Sequence, residues 1–116
     1  MAEASRGDGA EDIEVVDRPD DPSGPRYELR VGGRTAGMLV YQAADGDRRV
    51  LLHTEVGEEF QGRGLSKPLI EGALEDIAAR GGTLTNHCPA VGRYLDKHPE
   101  WERLVDPEHP GDRRRG

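Results

Sequence analysis

The chain has 116 residues, a formal net charge of −7 and one cysteine, Cys88. That length fits one domain. The acidic balance excludes a general nucleic-acid binder, because affinity for phosphate comes from clustered cations, and the only basic run is Arg113, Arg114 and Arg115 at the end of the chain. A lone cysteine excludes an internal disulfide and a Cys-x-x-Cys metal site. His87, Cys88 and His98 match no common zinc spacing, so no metal is expected. No apolar run approaches the about 18 residues of a membrane helix, and no basic-then-apolar leader opens the chain. The expectation is a cytoplasmic protein without membrane or nucleic-acid partners.

Residues 1–12 lack apolar periodicity and 106–116 are proline, glycine and charge, so both read as disordered tails around a domain at 13–105. Within it, 13–19 alternates briefly, stops at Pro19 and reads as an edge strand. The segment 26–31 alternates with Tyr27, Leu29 and Val31 on one face, and Gly32-Gly33 is a hairpin turn signal. The return strand covers 34–42, a turn follows at 44–47, and 48–56 is apolar enough to lie centrally. These strands make an antiparallel meander. His53 falls on one face of the last with Leu51 and Glu55, opposite Leu52, Thr54 and Val56.

From Leu65 onward the period changes. Leu65, Leu69, Ile70, Ala73, Leu74, Ile77 and Ala78 recur at helical spacing. Pro68 suits a first turn, and Arg80-Gly81-Gly82 supplies the stop. Residues 83–88 read as a strand, parallel to 48–56 through a right-handed crossover. Pro89 starts a second helix over 89–98, and 101–105 reads as a last short strand. The fold class is α+β, with a small mixed sheet in the order β-β-β-α-β-α and extra strands at the ends.

Between the central strand and the first helix lies Gln61-Gly62-Arg63-Gly64-Leu65-Ser66-Lys67-Pro68. A helix N-terminus offers unpaired N–H groups and partial positive charge, and glycines let them approach a bulky phosphate. Gly62 through Lys67 could therefore cradle an anion, with Arg63 and Lys67 adding charge. A plain strand-to-helix turn explains the same residues equally well. A P-loop is absent, and a dinucleotide fingerprint would need glycine at 67.

Gln61-Gly62-Arg63-Gly64-Leu65-Ser66 resembles the acetyl-CoA motif of the GNAT acyltransferase superfamily. The flanking "HTEV" and "EEFQGRGLSKPLIEGAL" and the later "CPAVGRYLDKHPEW" look more specifically like its short YjdJ-type acetyltransferase-like subfamily, over about residues 26–101. Ser66 departs from the usual glycine or alanine, but it is small and keeps its N–H. The resemblance implies an acetyl-CoA-dependent N-acetyltransferase of GNAT fold, with the pantetheine arm in a V-shaped opening between strands 48–56 and 83–88. It implies cofactor contacts from Val56, Gln61, Gly62, Arg63, Gly64, Leu65, Ser66, Lys67 and Asn86.

Aminolysis of a thioester needs a base for the amine and a donor for the departing thiolate. The candidate bases are His53 and Glu55, the latter since many relatives carry a carboxylate on this strand. Tyr94 matches the family tyrosine that serves the cofactor sulfur. Cys88 is a candidate acetyl acceptor in a covalent route, while a lone buried cysteine is otherwise a small packing residue. Full-length relatives have two helices between their first strands; here short turns leave no room for them, so the acceptor side is expected to be open. An open side suits a protein or peptide amine. The alternative is a non-catalytic acyl-CoA-binding or protein-interaction module.

Overall fold

In a computed structural model, residues 12–112 are described; the segments 1–11 and 113–116, with most of the first expected tail and the three terminal arginines, lie outside them. Five strands form one sheet in the order β1-β2-β3-β4-β5: β1 Ile13–Arg18, β2 Arg26–Val31, β3 Arg34–Ala43, β4 Arg48–Val56 and β5 Thr83–Asn86. The first four run antiparallel to their neighbours, and β5 pairs parallel to β4 from Arg48↔Thr83 to Leu51↔Asn86. Helix α1, Ser66–Ala79, makes the crossover, and helix α2, Pro89–Lys97, follows β5. The meander, the edge position of β1 and the parallel pairing follow the sequence pattern.

Alternation explains the core. Tyr27, Leu29, Val31, Leu39, Tyr41 and Leu51 point from the sheet toward α1, which returns Leu69, Ile70, Ala73, Leu74 and Ile77. All of them are buried. At about 25 cal/mol per Å² of apolar surface removed from water, this packing is the main favourable contribution. A polar network pins the edge of the sheet to the same helix. Arg49 reaches Asp17 at 3.0 Å and the Tyr27 hydroxyl at 2.8 Å. Tyr27 donates to Asp76 and Tyr41 donates to Asp17, at 2.8 and 2.6 Å.

The structure corrects four expectations. First, β4 is bulged: Val40 pairs with His53 and Tyr41 with Leu51, so Leu52 is passed over. A bulge residue flips the alternation beyond it. His53 and Glu55 therefore lie on the face opposite Leu51, while Thr54 and Val56 turn toward α1. Second, β5 ends at Asn86 and α2 at Lys97, shorter than the 83–88 and 89–98 expected. Third, the expected strand at 101–105 is a 3₁₀ segment, Pro99–Leu104, with Val105 left as a single bridge to Leu84. Pro99 fixes the first turn, and Leu104 drops into the core.

The fourth correction concerns residues 106–112, expected as tail. They run back beside β5: Asp106 N–H donates to Leu84 O at 2.9 Å, Asn86 N–H to Pro110 O at 3.0 Å and Asp112 N–H to Asn86 O at 2.7 Å. Thr85 Oγ1 also donates to His109 O at 2.6 Å. The free edge of β5 would otherwise leave its backbone groups unpaired. Gly111 has φ +88°, and a Cβ there would run into the Asn86 backbone. Composition marks such a strap as a tail because nothing in it is apolar.

Both helices pack on the Leu51 face. The opposite face, carrying Glu28, Met38, Val40, His53 and Glu55, has no helix over it among the described residues.

Candidate active site

Strand β4 outruns β5. The last backbone bond joining the two edges is His87 N–H to Leu51 O at 2.8 Å, and residues 52–56 continue without a β5 partner. The strands thus part at Leu51 and His87. Beyond Val56 a 3₁₀ turn, Glu58–Phe60, leads into the glycine segment and α1.

That segment is bare backbone. Gly62 and Gly64 have φ of +83° and +69°, conformations that cost a residue with Cβ about 1–2 kcal/mol. Gln61 Nε2 donates to Val56 O at 3.0 Å, closing the turn onto the end of β4. Leu65 holds the N-cap position without a side-chain cap bond, and Ser66 is the first helical residue, so its hydroxyl does not cap the helix. The first backbone bonds of the turn are long, Lys67 N–H to Gly64 O at 3.4 Å and Leu69 N–H to Leu65 O at 3.3 Å. The N–H groups of Gly62, Gly64, Leu65 and Ser66 donate to nothing among the described residues. Orphan donors clustered at a helix N-terminus form an anion site. Arg63 lies over the Phe60 ring at 5.3 Å, and Lys67 is exposed beside it.

The remaining candidates divide between the two faces of the parting strands. On the α1 side, Thr54 Oγ1 and Cys88 Sγ are 3.2 Å apart, either able to donate, and Cys88 is 1% exposed. Asn86 is committed to shaping the turn: its Oδ1 accepts from Cys88 N–H at 2.9 Å and its Nδ2 donates to Cys88 O at 3.1 Å. Tyr94 donates to Glu71 Oε2 at 2.7 Å and stacks on His98. Burial first, and the Glu71 carboxylate second, push its hydroxyl up to about 12. It is therefore protonated at neutral pH and chemically suited to donate, although in this arrangement it donates to Glu71.

On the open face, His53 Nε2 and Glu55 Oε2 are 3.5 Å apart, and both side chains are exposed. The structure thus keeps the glycine segment together at one end of β4 and separates His53 and Glu55 from Cys88 and Tyr94 by the thickness of the sheet. Thr54 and Glu71 were missed in the sequence. Strict alternation groups Thr54 with Leu52, and Glu71 is a solvent-face helix position until α2 is placed beside it. Among the described residues, no group of three His, Cys, Asp or Glu side chains is placed to hold a metal ion.

A central strand that splits from its parallel neighbour, then opens through a bare glycine turn onto a helix N-terminus, defines the α+β class of this fold. The sequence profile of the family described as GCN5-related N-acetyl-transferase matches residues 26–104, and the chain belongs to that family. The fold is similar to that of an IAA acetyltransferase from Bacillus cereus ATCC 14579, with TM-score 0.50 and 21% identity over 66% of this chain and 65% of that one. It is also similar to a ribosomal-protein-alanine N-acetyltransferase from Brucella melitensis biovar Abortus 2308, with TM-score 0.53 and 17% identity over 84% of this chain and 92% of that one. No curated protein matches the chain.

Proposed function

We propose that this chain is an acetyl-CoA-dependent N-acetyltransferase of the short YjdJ-type kind, one transferase domain over residues 13–105 with the following strap. The observation that carries the reading is the cluster of orphan N–H groups at Gly62, Gly64, Leu65 and Ser66 beside the parting of β4 and β5. A CoA pyrophosphate fits those donors, with Arg63 and Lys67 adding charge. The free edge of β4 over residues 52–56 suits a pantetheine amide chain.

Thr54, Cys88 and Tyr94 then belong to the donor side, and the open face with His53 and Glu55 is where an amine arrives. Tyr94 is the proton donor for the leaving thiolate, which requires its hydroxyl to exchange Glu71 for the sulfur. Cys88 is the group that could carry the acetyl in a covalent route. With no helix over the acceptor face among the described residues there is little enclosure for a small molecule, which favours an amine on a protein or peptide. Acetyl-CoA as donor suits a cytoplasmic protein; no helix among the described residues is long and apolar enough to cross a membrane.

The competing reading is a non-catalytic acyl-CoA-binding module. What favours it is that Cys88 is buried and the Tyr94 hydroxyl is held by Glu71. Calorimetry with CoA, followed by acetyl-CoA turnover over a panel of peptide and small amines, separates the two. Binding with turnover supports the transferase; binding without turnover supports the module; no binding sinks both.

A further inference from the structure

Resting on the transferase reading, we propose that His87 is the general base for the acceptor amine and that Asp112, from the C-terminal strap, is the residue that positions it. The argument begins at the point where the strands part. His87 is the residue whose N–H makes the last bond to β4, at Leu51 O, 2.8 Å. Its backbone is therefore fixed at the apex of the opening.

Its face follows from the register. Leu84 and Asn86 are buried toward α1, and Thr85 takes the other side with Arg48. His87 continues the Thr85 alternation and emerges on the open face, the same face to which the bulge sends His53 and Glu55. The apex thus presents His87 from the β5 edge where β4 presents His53.

The two histidines are held differently. His53 faces Glu55 at 3.5 Å, outside ordinary hydrogen-bond length, and both flank an unpaired strand edge. His87 Nδ1 lies 3.1 Å from Asp112 Oδ1. Asp112 itself is anchored, its N–H bonded to Asn86 O at 2.7 Å, and the left-handed Gly111 lets the strap come that close. A carboxylate beside Nδ1 accepts a hydrogen bond from it, which holds the ring proton on Nδ1 and leaves Nε2 with a free lone pair. Nε2 has no partner among the described residues, and the side chain is 44% exposed on the side the amine must use.

In the transfer step, the neutral amine nitrogen forms a C–N bond to the acetyl carbon. The surplus proton on nitrogen passes to His87 Nε2, the thioester C–S bond breaks, and its thiolate leaves, that of CoA in direct transfer or that of Cys88 in the covalent route, to be protonated in turn. Asp112 stabilises the imidazolium formed in between. Among the described residues, the titratable group in contact with His87 is Asp112 from the strap; Arg48, on Thr85 and paired with Asp106, and His53 and Glu55 on β4 are the charged or titratable groups placed on the same face by the register.

The test uses the full chain and its best amine from the panel. His87→Gln should keep CoA affinity by calorimetry and native near-ultraviolet dichroism, yet lose about 100-fold or more in kcat. It should also erase the acid limb of the pH profile. Asp112→Asn should lose less, and nitrogen NMR should show the His87 ring changing from the Nδ1–H tautomer to a mixture. His87→Gln with kcat and acid limb unchanged overturns the proposal, and more so if both effects move to His53→Gln. An Nε2–H tautomer in the wild type removes the role of Asp112. A wild type that binds CoA but acetylates no amine overturns the transferase reading, and the base with it.

Discussion

Gly64 joins one backbone angle to the proposed ligand. Its φ of +69° is open to a side chain in space but not in conformation, because nothing lies within 4 Å of a Cβ built there. Gly64→Val should therefore fold, with a cost of about 1–2 kcal/mol from the left-handed backbone. It should nevertheless weaken CoA binding at least tenfold, because the N–H groups on either side are displaced. Calorimetry paired with a melting curve separates those effects, and unchanged affinity would falsify the cradle. Cys88 is tested by a different readout. Cys88→Ala should slow transfer while CoA still binds, and mass spectrometry after incubation with acetyl-CoA should find an acetyl group on Cys88 of the wild type. A full rate and no adduct would return Cys88 to packing, where its contact with Thr54 is explanation enough.

At the scale of elements, the strap at 106–112 does work that its composition hides. It covers the free edge of β5 and is held by backbone bonds to Leu84 and Asn86. Gly111→Val combines a forbidden φ with a collision against Asn86. Amide exchange at Asn86 and Asp112 should accelerate strongly, while amides of β2 and β3 keep their protection. Equal acceleration everywhere would mean that the strap is integral to global stability. Helix α1 is bound more tightly to the fold. Leu74→Ala, at a position 0% exposed, should cost about 2–5 kcal/mol in chemical denaturation.

For the molecule as a whole, the three tyrosines give a pH signature. Burial, then a hydrogen bond to a carboxylate, raises all three: Tyr27 against Asp76, Tyr41 against Asp17 and Tyr94 against Glu71, the last to about 12. A tyrosine whose folded pKa exceeds its unfolded value favours the fold below the unfolded pKa, and that contribution is lost as pH rises toward the folded one. Stability should thus decline above about pH 10. Absorbance at the phenolate band should show no tyrosine ionising at that pH in the folded protein; an ordinary titration there would contradict the buried placement. On the acid side, Glu28 is lowered, first by the Thr35 hydroxyl, with burial opposing it, and further by Arg18 and Arg30. Its small contribution disappears as pH falls through the carboxylate range.

The sequence by itself determined most of the elements and the bare glycine turn. Alternation in 26–31, helical spacing from Leu65 to Ala78 and the glycines at 62 and 64 are local signals, set by residues within a few positions of one another. The tertiary structure decided which side chains meet. One passed-over residue, Leu52, exchanged the faces of His53 and Thr54, because period-2 alternation has no memory across a bulge. The strap became part of the sheet because β5 had unpaired backbone groups to satisfy, and hydrogen bonds of that kind leave no mark on side-chain pattern. The Thr54–Cys88 and Tyr94–Glu71 contacts, and the approach of Asp112 to His87, join residues 23 to 34 positions apart in sequence. Such distances are closed by packing alone.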